Sequence, residues 1–298
     1  MQVKNNMFVI KNKKIFVIIS AVLVSLSIVS LIVFGLKLGI DFKGGSFLEI
    51  EYSANRPEQN IIEDIIKPLE IGEVIIQPMG ELGYSLKSRD ISEEERASIM
   101  TALGEEVTEK SFTSIGPSVG AELVRKSIIS FILVVLGIIF WIAFSFRKVS
   151  KPVSSWKYGF IAIIALIHDV IIPIGVFTVI SYIYGLEVDT LFVVAVMTIL
   201  GLSVSDTIVV FDRIRENIRI GFSKVFDETV GKSLKQVYTR SISTTLTLLF
   251  VLVALVFFGP DSTKVFAIML AAGMLCGTYS SIFLASPLLV MANNLQKK

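Results

Sequence analysis

Six long apolar blocks and one alternating segment account for most of this chain. The blocks lie near residues 15–34, 127–146, 158–180, 190–211, 242–259 and 265–291, and the only acidic residues inside them are Asp169 and Asp206. A helix needs about 20 apolar residues to cross a bilayer, and each block approaches or exceeds that length. The first block follows Lys11, Lys13 and Lys14. It is long enough to span and no small-x-small cleavage signal follows it, so an uncleaved anchor is expected.

Residues 35–124 read differently. Gly44-Gly45 is a turn signal, and Ser46 to Tyr52 alternates as a strand does. Pro57 opens a helix in which Ile61, Ile62, Ile65 and Ile66 form an apolar stripe. Two strands, Glu73 to Met79 and Tyr84 to Lys87, are joined through Gly80 to Gly83. Ser92 and Glu95 have capping-box spacing, starting a helix with Ile99, Met100 and Leu103 on one side. A last strand runs from Val107 to Ile115. The order β-α-β-β-α-β is that of a ferredoxin-like unit. The fold class is therefore a polytopic α-helical membrane protein of six transmembrane helices, with one small external α+β domain between the first two.

Composition supports the membrane class: 298 residues are 53% hydrophobic and 18% charged, with a mean hydropathy of +0.74. The single cysteine, Cys276, rules out an internal disulfide and any multi-cysteine metal site. Charge then orients the chain. Residues 36–122 carry 17 acidic against 8 basic side chains, whereas residues 213–240 carry seven basic and three acidic ones. Arg147, Lys148, Lys151 and Lys157 lie between the second and third blocks, and the chain ends Lys297-Lys298. By the positive-inside rule residues 1–14, 147–157, 212–240 and 292–298 face the cytoplasm, and the 35–124 domain with loops 181–189 and 260–264 faces outward. Residues 213–240 are amphipathic, and glycines at 221 and 231 predict short surface helices there.

The chemistry is expected where charge interrupts the apolar blocks. An Asp at the centre of a spanning helix costs about 2.5–3.5 kcal/mol, and such residues mark ion or substrate paths. Asp206 stands sixteen residues into the fourth block, about 24 Å along a helix. The fifth block begins just after Arg240, whose guanidinium would start near the same depth, so the two could pair. Burial favours the protonated acid and a nearby guanidinium the ionised one, which makes a proton switch. The third block holds Asp169 and the only histidine, His168. Neighbours on a helix project about 100° apart, so these two need not touch. Thr239, Ser241, Ser243, Thr244, Thr245 and Thr247 cluster where the fifth block starts. They suit either a polar path to Arg240 or bonds between helices. Gly273-x-x-x-Gly277 points to close helix packing. No P-loop, zinc spacing or nucleophile elbow is present, so neither a cofactor nor an enzyme activity is expected. Nucleic-acid binding has no support beyond basic residues that topology already explains.

Two motifs carry a resemblance. Gly39-Ile40-Asp41-Phe42-Lys43-Gly44-Gly45, just after the first block, resembles the G-x-[DE]-F-x-G-G entry motif of the SecD/SecF protein-export family. Gly116-Pro117-Ser118-Val119-Gly120-Ala121-Glu122-Leu123 resembles that family's G-P-x-V-G-x-E-L motif. His168-Asp169-Val170, and the run from Asp206 through Asp212-Arg213 to Asn217, are similar to it as well. Lys43 departs from the small polar residue usual at that place.

The resemblance implies half of a transporter of the resistance-nodulation-division (RND) superfamily, with a SecD subunit supplying the other half. It implies use of the proton gradient to assist export of unfolded polypeptides through the SecYEG channel, driven by the SecA ATPase. It maps the proton path onto Asp206 and Arg240, with His168 and Asp169 as a further motif element. Two other readings stand beside it. An RND-type exporter of small molecules or lipids would carry twelve spans and two large external domains. An intramembrane aspartyl protease built on Asp169 and Asp206 would need G-x-G-D, where this chain has Val204-Ser205-Asp206.

Overall fold

The computed structural model describes residues 7–146 and 153–296. Arg147, Lys148, Lys151, Lys297 and Lys298 lie outside the described residues. A short helix, α1 (Met7–Lys11), leads into α2 (Lys13–Phe34). One helical turn, α3 (Ile40–Lys43), precedes β1 (Gly45–Tyr52), α4 (Gln59–Ile66), β2 (Ile75–Met79), β3 (Gly83–Ser88), α5 (Glu93–Leu103) and β4 (Val107–Ile115). Four long helices follow: α6 (Pro117–Phe146), α7 (Ser155–Tyr184), α8 (Thr190–Arg219) and α9 (Phe226–Phe258). The last span is composite, with α10 (Asp261–Ser280), a π-helical segment (Ser281–Ala285) and α11 (Ser286–Gln296). The chain divides into two compact units, one of residues Leu38–Ile129 with Glu187–Thr190 and one of the remainder.

In the smaller unit the strands form one antiparallel sheet in the order β2-β3-β1-β4. The connection from β1 through α4 to β2 passes over β3, which is the split β-α-β arrangement. Alternation in β1 puts Leu48, Ile50 and Tyr52 on the covered face, against Ile62 and Ile66 of α4 and Ile99 and Leu103 of α5. The capping box starts α5: Ser92 Oγ accepts from the Glu95 amide at 3.3 Å, and Glu95 Oε2 accepts from the Ser92 amide at 2.9 Å. One expectation fails here. Ile61 is 50% exposed, because the two-turn α4 lays only the row through Ile62 and Ile66 fully onto the sheet.

In the larger unit, burial separates central from peripheral helices. Among the described residues six helices are long and apolar enough to span a membrane. Within the apolar stretch of each, 56% of α7 and of the last span is buried and 44% of α8, against 17% for α2 and α9 and 6% for α6. The centre is therefore α7, α8 and the last span. Small residues bring helices close both within this centre and between it and α2. A Cβ on Gly175 would meet Ser27 at 2.3 Å, and one on Gly273 would meet Ile199 at 2.2 Å. Ser30 Oγ reinforces the first approach, donating to Gly175 O at 2.9 Å.

Residues 213–240 also depart from expectation. The short surface helices are replaced by the ends of two long ones, turning at Gly221, where φ is +73°. Gly231 sits inside α9 and is buried. A helical glycine costs about 1 kcal/mol. Bonds across the hairpin outweigh it: Asn217 Nδ2 donates to Ser233 Oγ at 2.8 Å and to Gln236 Oε1 at 2.7 Å, and Arg213 Nε donates to the same Gln236 oxygen at 2.7 Å. Asp212 lies 3.9 Å from Arg215 and Arg213 2.5 Å from Glu216, both at one-turn spacing on α8.

Candidate functional site

Asp206 is half-buried on α8 and holds two hydroxyl donors. Ser241 Oγ of α9 donates to Oδ1 at 2.7 Å, and Ser281 Oγ of the π segment donates to Oδ2 at 2.5 Å. The carboxyl lines a cavity of about 120 Å³ with Arg240, Ser203, Ser205, Thr244, Thr245 and Thr278 among its walls. A polar space of that size has room for water. Arg240 is exposed, and among the described residues it makes no ion pair with Asp206. The reason is angular. Ser241 is turned toward Asp206, so its neighbour Arg240 projects about 100° away and reaches only the cavity wall. The expected pair is thus a carboxyl and a guanidinium sharing one cavity.

Asp169 of α7 is fully buried and has three partners. His168 Nδ1 lies 2.8 Å from its Oδ1, Ser280 Oγ donates to Oδ2 at 2.6 Å, and Ser203 Oγ of α8 donates to the same oxygen. His168 and Asp169 therefore do touch. Nδ1 sits close to the histidine backbone and the Asp side chain is short, so both fold along the helix surface and close the angle between them. The imidazole stacks on Tyr279, with centroids 6.0 Å apart and planes at 16°, and its buried Nε2 has no hydrogen-bond partner among the described residues.

The two acids share a frame. α8 supplies Ser203 to Asp169 and, one turn later, Asp206 itself; the last span supplies Ser280 to one acid and Ser281 to the other. The backbone changes from α to π at that step. Pro287 follows and lacks an amide proton, and Ser286 Oγ donates to Ser281 O at 3.0 Å across five residues. Thr245 and Thr278 hydroxyls bond next to the cavity. Sequence reasoning did not single out Ser203, Thr278, Ser280 or Ser281. The visible signal was the polar run Thr278-Tyr279-Ser280-Ser281 inside an apolar block.

The motif residues are brought together in the smaller unit. Asp41 Oδ2 accepts from the Thr190 amide at 2.9 Å, capping the start of α8. Gly39 N donates to Val188 O at 2.9 Å, and Lys87 pairs with Glu187 at 2.8 Å. Phe42 is buried. Gly44 and Gly45 have φ of +80° and +135°, and a Cβ on Gly45 would meet Ser88 O at 2.6 Å. Gly116 O accepts from the amides of Val119 and Gly120 at the start of α6, and a Cβ on Gly120 would meet the Phe42 carbonyl and the Gly44 amide at 3.0 Å. Glu122 pairs at the surface with Lys126, 2.8 Å away.

Fold and site together define a multi-pass membrane protein with a polar seam through its helices and a small antiparallel sheet unit. The family model for the protein export membrane protein SecD/SecF, C-terminal, matches residues 95–295, and the SecD/SecF GG motif matches residues 29–55. The protein translocase subunit SecF of Thermobaculum terrenum is 41% identical over 297 residues, covering 94% of this chain and 92% of that protein. The subunit of the same name from Synechocystis is 34% identical over 262 residues, covering 84% of this chain and 81% of that protein. The chain belongs to the SecF family of protein translocase subunits. Its fold matches the crystal structure of SecDF, a translocon-associated membrane protein from Thermus thermophilus, with a TM-score of 0.82 and 29% identity over 99% of this chain. A second SecDF structure, in a super-membrane-facing form, gives a TM-score of 0.68 at 28% identity over 97% of this chain. The chain spans 40% of the length of the first of these solved proteins and 39% of the second.

Proposed function

We propose that this chain is half of a proton-driven accessory unit of the Sec translocase in the cytoplasmic membrane of a prokaryote. A SecD subunit supplies the other half. Both termini and the hairpin around Gly221 face the cytoplasm, and the sheet unit faces outward, where it meets unfolded polypeptide that SecA has driven through the SecYEG channel. The translocase names of the relatives support this reading over an exporter of small molecules.

The observation that carries the mechanism is the setting of Asp206: a half-buried carboxyl with two hydroxyl donors, sharing a cavity with Arg240. Ionised, it is held by Ser241, Ser281 and the positive charge across the cavity. A proton arriving through the cavity neutralises it and weakens all three attractions, which frees the fifth and sixth spans to shift against α8. One charge crossing 100 mV gains about 2.3 kcal/mol, comparable to the cost of placing that Asp in a span. Asp169 and His168 form the companion station in the third span. Asp206→Asn keeps the shape and removes the exchangeable proton. In vesicles with an imposed proton gradient the variant is expected to lose the gradient-dependent acceleration of export while still copurifying with its partner. Full acceleration in the variant removes Asp206 from the mechanism and the reading with it.

A further inference from the structure

Ser280 and Ser281, adjacent in the last span, serve different acids. Ser280 Oγ lies 2.6 Å from Asp169 Oδ2 and Ser281 Oγ lies 2.5 Å from Asp206 Oδ2. Each hydroxyl also has a second acceptor: Ser280 Oγ is 3.1 Å from Gly277 O, and Ser281 Oγ is 3.1 Å from Thr278 O. A hydroxyl carries one proton and donates it in one direction at a time. An ionised carboxylate is the stronger acceptor and takes it. Once the acid is protonated it becomes a donor itself. Its O–H then donates to the serine oxygen, and the serine's own proton turns to the carbonyl three residues back. The charge state of each acid is thereby rewritten as a bond to the helix backbone.

The place where this happens matters. Back-bonding by serine bends helices. Here it acts where α10 gives way to the π segment, so the backbone ladder is already interrupted. We infer that Ser280 and Ser281 are positioning residues that sense the charge of Asp169 and Asp206 and convert it into bending of the last span, coupling the two acids through one backbone step. The inference rests on the reading that Asp206 exchanges protons. Among the described residues, the other titratable or charged groups around the acids are Arg240 from α9, His168 from α7, and Cys276 and Tyr279 from α10. The first span packs against α7 and the π segment and has no titratable side chain between Lys14 and Phe34.

The test is infrared spectroscopy of the full chain with its SecD partner in lipid nanodiscs. The protonated-carboxyl band is followed against pH, and the Asp206 contribution is assigned by its disappearance in Asp206→Asn. Ser281→Ala deprives the ionised acid of one of two hydroxyl donors, and its titration midpoint is expected to rise by about one pH unit, a tenfold change in proton affinity. Ser281→Thr keeps the hydroxyl and is expected to restore the wild-type midpoint, which a merely structural role would not require. In wild type, Asp169→Asn is expected to move the Asp206 midpoint, and in a Ser280→Ala background that movement is expected to vanish. A midpoint unmoved by Ser281→Ala, or moved equally by Ser281→Thr, overturns the inference and leaves the proposed function standing. An Asp206 band that never titrates overturns both.

Discussion

In the sheet unit the large apolar side chains lie mostly inside; in the membrane unit they also cover the outside, and carboxyl and hydroxyl groups are buried among the apolar ones inside. Ile50 is wholly buried under α4 and α5, while Arg96 pairs with Glu109 at 2.7 Å on the surface. In the helical unit Phe140 is 72% exposed, and the fully buried set includes Asp169, Ser280 and Ser281. Water drives the first arrangement, because each apolar group removed from it stabilises the fold. Lipid provides no such drive between helices, and association there depends on small residues, tight packing and hydrogen bonds. A buried serine in the sheet unit, such as Ser46 bonded to Ser114 at 2.6 Å, completes local satisfaction. A buried serine in the bundle joins helices and holds a carboxyl group in place.

That contrast can be broken by substitutions of graded effect. The largest is expected from Ile50→Ala, which opens a cavity beneath the sheet and should cost the small unit about 2–5 kcal/mol. Hydrogen exchange of the β1 and β3 amides in the full chain would show it, with the amides of α7 unchanged. Ser92→Ala removes one side of the capping box and should cost about 1 kcal/mol, seen as faster exchange in the first turn of α5. Phe140→Ala, on the exposed face of α6, should change the chain's own thermal stability by less than about 0.5 kcal/mol. An effect as large as that of Ile50→Ala would mean that aromatic bulk on the outer face of the bundle contributes as a water-driven core does.

Much of this was legible because periodicity survives in both solvents. Long apolar runs marked the spans, and alternation, an isoleucine stripe and a Ser92-x-x-Glu95 cap marked the strand and helix order of the sheet unit. Asp206 stood out because a carboxylate among Val, Ile and Leu is costly. The rest depended on angles that residue types do not state. Which way Arg240 points follows from Ser241 having turned toward Asp206. The contact between His168 and Asp169 depends on two short reaches along one helix. Gly231 reads as a breaker until Asn217 and Gln236 bond across the hairpin. Ser280 and Ser281 look like ordinary small residues in an apolar helix. Their hydrogen bonds, one to Asp169 and one to Asp206, show that they face different acids.

The proposed function requires protons to pass by way of Asp206. It is tested most directly by proton flux in proteoliposomes holding this chain with its SecD partner and an engaged translocation substrate, followed with an internal pH-sensitive dye. Wild type is expected to acidify the interior under an imposed gradient, and Asp206→Asn to reduce that flux to the level of protein-free liposomes. Flux through Asp206→Asn equal to wild type would take Asp206 off the proton path.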